Sequence, residues 1–414
     1  MQKKQNPSGE TTSLEEYSRS EDADLLRIVS ENARLSEGEE AIRRVMRVVF
    51  RHGRIGTKDL AYASMLPVPV VAAVRKELEK TGYLSRDGGA VLTENGRRYV
   101  TETLGFTIEK PLVCPTCLGR KVSIPTKYAS LLVKLQEFSR LRPKPYTWLD
   151  QAFATPQTML LRALYMLEEG DVEGRSILFL GDDDLTSIAT GLLRAAKRIT
   201  VIDIDDRILD LIAGVTKKEG LQVECVRHDL RNPLPDELRG EYDVVFTDPP
   251  YTMEGLKVFV SRGIEALKKR KCASVYLAFA HKPPEDMLML QRAINKMGLV
   301  IREMVPRFNV YEGAEMLANT TFLARLETTD ETMSSITKRY MGKMYSGEVS
   351  PTIRIYRCSC GEEIEVGTGK AFRTIESLKA DGCPRCGRKK GFKLQKRIAL
   401  KPKHDNNPKP ISER

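Results

Sequence analysis

No run of about eighteen apolar residues occurs anywhere in this 414-residue chain, which argues against a membrane span. Its start is polar, with no apolar stretch behind the first charges, so it does not read as a secretory signal. Disulfides are not implied either. Of eight cysteines, six form close pairs, Cys114/Cys117, Cys358/Cys360 and Cys383/Cys386, a spacing that suits thiolate ligation of a metal. These absences predict a cytoplasmic chain without membrane attachment. No internal repeat of the solenoid kind is visible.

What is present is enough chain for several units. At 414 residues, with 41% hydrophobic residues, it is too long for one ordinary domain and apolar enough for at least one sizeable core. The net charge of +11 would hint at nucleic acid if it were spread evenly. It is not. Residues 388–414 carry roughly ten bases against two acids, whereas residues 176–260 carry roughly sixteen acids against ten bases. The middle of the chain is built to meet cations.

Residues 1–37 are polar and predict a flexible N-terminus, with a helix over Asp22 to Ala33. Within 38–110, apolar residues recur at helical spacing (Ile42, Val45, Met46, Val49). Two further helices follow, then a hairpin around Asp87-Gly88-Gly89, the pattern of a winged helix. Residues 111–146 hold the first cysteine pair and a Pro/Arg-rich linker. From 147 to 328, short apolar runs alternate with amphipathic stretches, which predicts a doubly wound, mostly parallel α/β sheet. A cysteine-bearing unit over 329–390 and a basic flexible tail over 391–414 complete the chain.

In open α/β sheets ligands lie beyond the carboxyl ends of the strands. The residues there are Gly181-Asp182-Asp183-Asp184, Asp203-Ile204-Asp205, Asp229-Leu230 and Asp248-Pro249-Pro250-Tyr251, acidic in all four positions. Asp203 suits ribose hydroxyls, Ile204 an adenine face, and Asp229 an adenine amino group, because a carboxylate accepts two N–H donors. Singly, each acid also reads as a turn former or helix cap.

The triple aspartate stands where methyltransferases carry glycines against the methionine part of S-adenosylmethionine. Three carboxylates there repel a donor carboxylate and attract a decarboxylated donor, which presents only a sulfonium and an ammonium. A polyamine acceptor adds further positive charge. One such contact pair is worth on the order of a few kcal/mol before desolvation. A metal site or a solvated turn is the plainer alternative. Asp248-Pro-Pro-Tyr251 also occurs in amino-methyltransferases, where it grips an amine; without substrate it is a rigid turn.

These residues resemble the branched-chain polyamine synthases of thermophilic archaea and bacteria. The likeness runs from about Ala41 to Leu326. It rests on Leu149-Asp-Gln151 with Ala154-Thr-Pro156, Gly181-Asp-Asp-Asp-Leu-Thr-Ser187, Val201-Ile-Asp-Ile-Asp205, Asp248-Pro-Pro250 with Glu254-Gly255-Leu256, and Phe308-Asn309 with Tyr311. The resemblance implies a Rossmann-like, methyltransferase-type α/β catalytic domain behind an N-terminal winged helix, and a homodimer. It also implies decarboxylated S-adenosylmethionine as donor, spermidine or its singly branched derivative as acceptor, and methylthioadenosine as by-product. Family practice gives the middle acid, Asp183, the attacking nitrogen. Asp182, Asp184 and Asp248 are then expected to hold the outer ammonium groups, with Gln151, Pro249, Tyr251, His281 and Tyr311 shaping the acceptor pocket and Gly181 and Leu230 the nucleoside pocket. Three departures stand out: Tyr251 follows the prolines, the segment after Tyr311 follows the family pattern poorly, and a cysteine-bearing extension begins beyond about Glu327.

Cys358, Cys360, Cys383 and Cys386, with Gly361 and Gly387 behind them, predict two knuckles of a small zinc ribbon holding structural zinc. Cys114 and Cys117 are half a site, and Cys225 and Cys272 are expected in the core. A winged helix, a ribbon and a basic tail together also fit a nucleic-acid partner. An S-adenosylmethionine-dependent amino-methyltransferase acting on nucleic acid, or a DNA-binding regulator, is therefore the competing class.

Overall fold

A computed structural model of the chain describes residues 25–312, 320–346, 352–367, 370–372 and 375–399. The expected flexible N-terminus up to residue 24 and the basic tail beyond residue 399 lie outside the described residues.

A helix through residues 25–33 (α1) precedes α2 (Glu39–His52), α3 (Thr57–Ser64), α4 (Val68–Lys80), the hairpin β1 (Leu84–Arg86) and β2 (Ala90–Leu92), and α5 (Glu94–Arg98). This is the three-helix-plus-hairpin arrangement read from the sequence. Ile42, Val45, Met46 and Val49 share the buried face of α2 and join Leu60, Val71, Val74 and Leu78 in a core of their own. Next come α6 (Ala129–Ser139) and α7 (Pro156–Glu168). Thr155 caps α7, its hydroxyl accepting from the Thr158 amide at 3.3 Å, and Pro156 starts the first turn, where no amide hydrogen is needed.

The catalytic-type unit then runs β3 (Ser176–Leu180), α8 (Thr186–Leu192), β4 (Arg198–Asp203), α9 (Asp206–Glu219), β5 (Val223–Arg227), β6 (Val244–Thr247), α10 (Met253–Ala266), β7 (Ser274–Ala280), α11 (Pro284–Lys296), β8 (Leu299–Val310) and β9 (Thr320–Thr328). These strands form one seven-stranded sheet, ordered β5-β4-β3-β6-β7-β9-β8. The first five are parallel, and β9 inserts antiparallel between β7 and β8. The strand order reverses between β3 and β6, so the carboxyl ends there open a crevice. One sheet face packs on α7, α8 and α9, the other on α10 and α11, giving two apolar layers. Burying a leucine such as Leu160 or Leu256 contributes about 1.5–3 kcal/mol.

The third unit is smaller: β10 (Thr352–Cys358), β11 (Glu363–Gly367), α12 (Ile375–Asp381) and β12 (Phe392–Ala399), with sheet order β11-β10-β12. Its boundary differs from the sequence expectation. Residues 329–346 do not belong to it but pack back on α10 as a strap, with Met344 and Tyr345 buried in the second apolar layer. The Arg262 guanidinium donates to the carbonyls of Ile336 (2.7 Å) and Lys338 (2.9 Å), and Thr252 Oγ1 to that of Met344 (2.5 Å). Cys272 departs from its expected place as well: it is exposed, in the turn before β7, while Cys225 is half-buried.

Candidate active site

The crevice holds a cleft of about 680 Å³, open mouth included. It gathers Gln151, Gly181, Asp183, Asp184, Asp203 and Ile204 with Asp229, Leu230, Asp248, Pro249, Tyr251 and Tyr311. Residues from six separate stretches of chain thus meet as the topology requires.

Local geometry explains the loop after β3. Gly181 takes a left-handed φ of +71°, which turns the chain out of the strand. Asp182 then folds under α8: its carboxylate accepts the amides of Thr186 (2.7 Å) and Ser187 (3.1 Å), a cap worth about 1 kcal/mol. Asp203 holds the loop from the neighbouring strand end, accepting the amides of Asp182 (3.0 Å) and Asp205 (2.9 Å). On the far side, a side chain at Gly255 would put its Cβ 2.7 Å from the Pro250 carbonyl oxygen, so only glycine lets α10 start against the two prolines.

One residue that the periodicity analysis passed over organises the floor. Arg162, fully buried on α7, donates to Asp184 (2.6 Å), Asp248 (2.7 Å), Tyr311 (2.8 Å), Asn309 (2.8 Å) and Thr186 (3.2 Å). Asp184 also accepts the amide of Ala154. Asp248 accepts from the hydroxyls of Tyr251 (2.9 Å) and Tyr311 (2.5 Å). Asn309 reaches Arg162 because the β8–β9 register slips between Val305 and Asn309, and its amide nitrogen donates to Thr321 Oγ1 (2.9 Å). A single arginine among Met159, Leu160, Leu161 and Leu164 was the signal available in the sequence: a buried guanidinium requires carboxylate partners.

The three aspartates therefore do not act alike. Asp182 is outside the cleft lining and committed to backbone amides, and Asp184 is ion-paired, so the expectation that both hold substrate ammonium groups gives way to internal roles. Asp183 faces the cleft with no hydrogen bond or ion pair recorded among the described residues. Burial, then Asp184, Asp203, Asp248 and Asp182, push its carboxyl well above the ordinary range. Burial raises Asp248 to about 6, even though Arg162 pulls it down. The arrangement is a concentrated acceptor of cations with one acid poised to take a proton.

Gln151 lies on the rim, where its amide donates to Asp205 (3.0 Å). Leu149 and Asp150, from the Leu149-Asp-Gln151 motif, also line the cleft, together with Phe259 and Tyr345, which the sequence did not single out. Tyr345 arrives on the strap, which latches to the opposite rim where the Ser346 amide donates to Asp150 (2.7 Å). His281 is elsewhere. It lines a separate recess beside α2 and α3, which corrects its assignment to the acceptor pocket.

In the third unit the four cysteine sulfurs lie within 4.8 Å of one another, with Cys358–Cys386 and Cys360–Cys383 at 3.7 Å. A zinc–sulfur bond of about 2.3 Å implies tetrahedral edges of about 3.8 Å, so the cluster fits zinc. Cys114 and Cys117 join no such group among the described residues.

Comparison with known proteins places this geometry in context. Residues 130–367 match the model of the branched-chain polyamine synthase A C-terminal domain. An N(4)-bis(aminopropyl)spermidine synthase of Thermococcus kodakarensis is 33% identical over 291 residues, 70% of this chain and 82% of that one. An uncharacterized protein of Methanocaldococcus jannaschii is 45% identical over 382 residues, 91% of this chain and 94% of that one. The crystal structure of the Thermus thermophilus branched-chain polyamine synthase, in complex with N4-aminopropylspermidine and 5'-methylthioadenosine, superposes with a TM-score of 0.63 at 26% identity, covering 79% of this chain and 97% of that one.

Proposed function

Since the chain belongs to the branched-chain polyamine synthase family, we propose that it transfers aminopropyl groups from decarboxylated S-adenosylmethionine to the internal nitrogen of spermidine, releasing methylthioadenosine. The observation that carries this reading is Asp183, an unpartnered carboxyl raised by burial on the floor of an acidic cleft.

At neutral pH the internal amine is mostly an ammonium. Asp183 accepts its proton, the freed lone pair attacks the methylene carbon attached to sulfur, and the carbon–sulfur electrons return to sulfur, which leaves as a neutral thioether. Asp248, held between Arg162, Tyr251 and Tyr311, lends negative charge to the acceptor side. Asp203, Ile204, Asp229 and Leu230 form the nucleoside end. The amino-methyltransferase reading is less well supported, because the carboxylates of Asp183 and Asp184 line the cleft on the donor side, where an intact donor would bring a carboxylate of its own.

The deciding assay incubates the protein with spermidine and either the decarboxylated or the intact sulfonium donor and weighs the products. Aminopropyl additions with the decarboxylated donor alone are expected, and methylation with the intact donor would reverse the reading. The raised carboxyls set a pH dependence. An acid whose carboxyl is raised loses its charge as pH falls, so kcat/KM for the acceptor should drop on the acid side as Asp248 protonates around 6 and Asp183 follows the same sign. A profile that stays flat down to about pH 5 contradicts this assignment.

The four clustered cysteines are proposed to hold structural zinc. One zinc per chain is expected by elemental analysis, and Cys383→Ser should lose it and unfold the ribbon. Transfer activity should survive within a few-fold, since every residue lining the cleft precedes the ribbon. Loss of all transfer on zinc removal would show that the ribbon supports the cleft.

A further inference from the structure

His281 and Lys282 follow β7 in the loop before α11, and with Glu37, Arg44, Leu66 and Pro284 they line a recess of about 580 Å³, mouth included, between the N-terminal helices and the sheet. Its cations are poorly satisfied. Arg44 Nη1 reaches only the Ser64 carbonyl, at 3.5 Å. Arg307, from β8, stands behind the lining and acts on His281 electrostatically; its Nη1 donates to the Ala63 carbonyl at 3.4 Å and its guanidinium lies over the Tyr62 ring at 5.6 Å. Lys282 Nζ donates to the Tyr251 carbonyl at 3.1 Å. None of the three makes an ion pair among the described residues. Buried arginines elsewhere in the chain do, as in Arg75–Glu79 and Arg262–Glu265. The buried Nε2 of His281 and Nε of Arg307 have no hydrogen-bond partner among the described residues. Burial, then Arg307 and Arg44, lower His281 to about 4, which leaves a neutral imidazole able to donate one N–H. Glu37 is the one acid in the lining, and Asp286 and Asp150 act on Lys282 from farther off. Pro284 opens α11, a thirteen-residue helix whose amino end borders the recess, with Glu285 and Asp286 in its first turn but outside the lining.

We propose that this recess binds a phosphate-type oxyanion, and that its occupancy is relayed to the acceptor cleft through Lys282. Guanidinium, ammonium and imidazole donors converging at a helix N-terminus are the chemistry that tetrahedral oxyanions require. The relay is short. Lys282 holds the Tyr251 backbone carbonyl, and the Tyr251 hydroxyl donates to Asp248 at 2.9 Å. An anion that draws Lys282 away releases Tyr251, and with it one of the contacts that fix Asp248. The relay rests on the reading that Asp248 serves the acceptor; the binding site does not.

The test is calorimetric titration of the full chain with inorganic phosphate and, separately, with ATP, at constant pH and ionic strength against a chloride control, followed by acceptor KM with and without saturating phosphate. Saturable phosphate binding at one site per chain is expected. Arg44→Gln, which removes a lining donor, should weaken it about tenfold, and Arg307→Gln, which removes a charge behind the lining, by less. Glu37→Gln, which removes the one acid and no donor, should tighten it, and it keeps the question open to measurement if an arginine variant does not fold. ATP binding tighter than phosphate assigns the site to a nucleotide; equal or weaker binding assigns it to the free oxyanion. Acceptor KM should shift about fivefold with phosphate in the native chain and stay constant in Arg44→Gln. No phosphate binding above the chloride control, or binding indifferent to all three substitutions, overturns the site. Phosphate binding without any change in KM overturns the relay. Because calorimetry does not depend on turnover, either failure is distinguishable from failure of the transferase reading.

Discussion

Replacing Asp183 with asparagine is expected to lower turnover about 10²- to 10⁴-fold while leaving donor affinity nearly unchanged. The substitution keeps the side chain's size and removes its capacity to take a proton together with its negative charge. No fold-bearing contact goes with it, since Asp183, unlike its two neighbours in the run, has no recorded internal partner among the described residues. The thermal midpoint should therefore hold or rise, because a buried and destabilised charge disappears. Rapid-mixing turnover with saturating decarboxylated donor, together with nucleoside affinity by calorimetry, checks both halves. Full aminopropyl transfer by the variant would remove Asp183 from the mechanism.

Arg162→Met should cost about 3–5 kcal/mol of stability, the largest structural effect of any single change in the cleft. Methionine fills the volume but leaves Asp184 and Asp248 as buried carboxylates without their cation, and it strands the Asn309 and Tyr311 contacts. The sign of the pH response separates this cause from a simple packing fault. Asp248 is already raised to about 6 with Arg162 beside it, and it rises further without it. A raised acid favours the protonated fold, so the variant should regain stability as pH falls toward about 5, whereas a cavity would not respond. Denaturant midpoints across that range measure it. A variant as stable as the parent near neutral pH would mean that the carboxylates find other partners.

Much of the fold was legible because buried parallel strands read as unbroken apolar runs. Ser176–Leu180, buried along its whole length, shows this within the alternation expected over residues 147–328, whereas the edge strand Val223–Arg227 is only partly buried and carries Glu224 and Arg227. The acids after those runs were legible as a site for the same topological reason. Their division of labour was not. Whether Asp182 caps a helix or faces a ligand depends on the backbone direction set by Gly181 and by Leu185 at φ +58°, and no spacing rule reports that. Arg162 stayed hidden because helical periodicity asks which positions are apolar and passes over the exception. His281 follows β7 directly, yet the wall it faces is supplied by Arg44 and Leu66, more than two hundred positions away, which no local reading of the sequence reports. The strap escaped notice because residues 329–346 form no regular element in most of their length and are held chiefly through backbone carbonyls.

That strap is also the covalent road from the catalytic sheet to the cysteine-bearing ribbon. Tyr345 lies in the cleft wall only a few residues before β10 begins. Chain connectivity alone therefore keeps whatever the ribbon binds within a short tether of the cleft's aromatic wall, so the ribbon can set where the enzyme works without entering its chemistry.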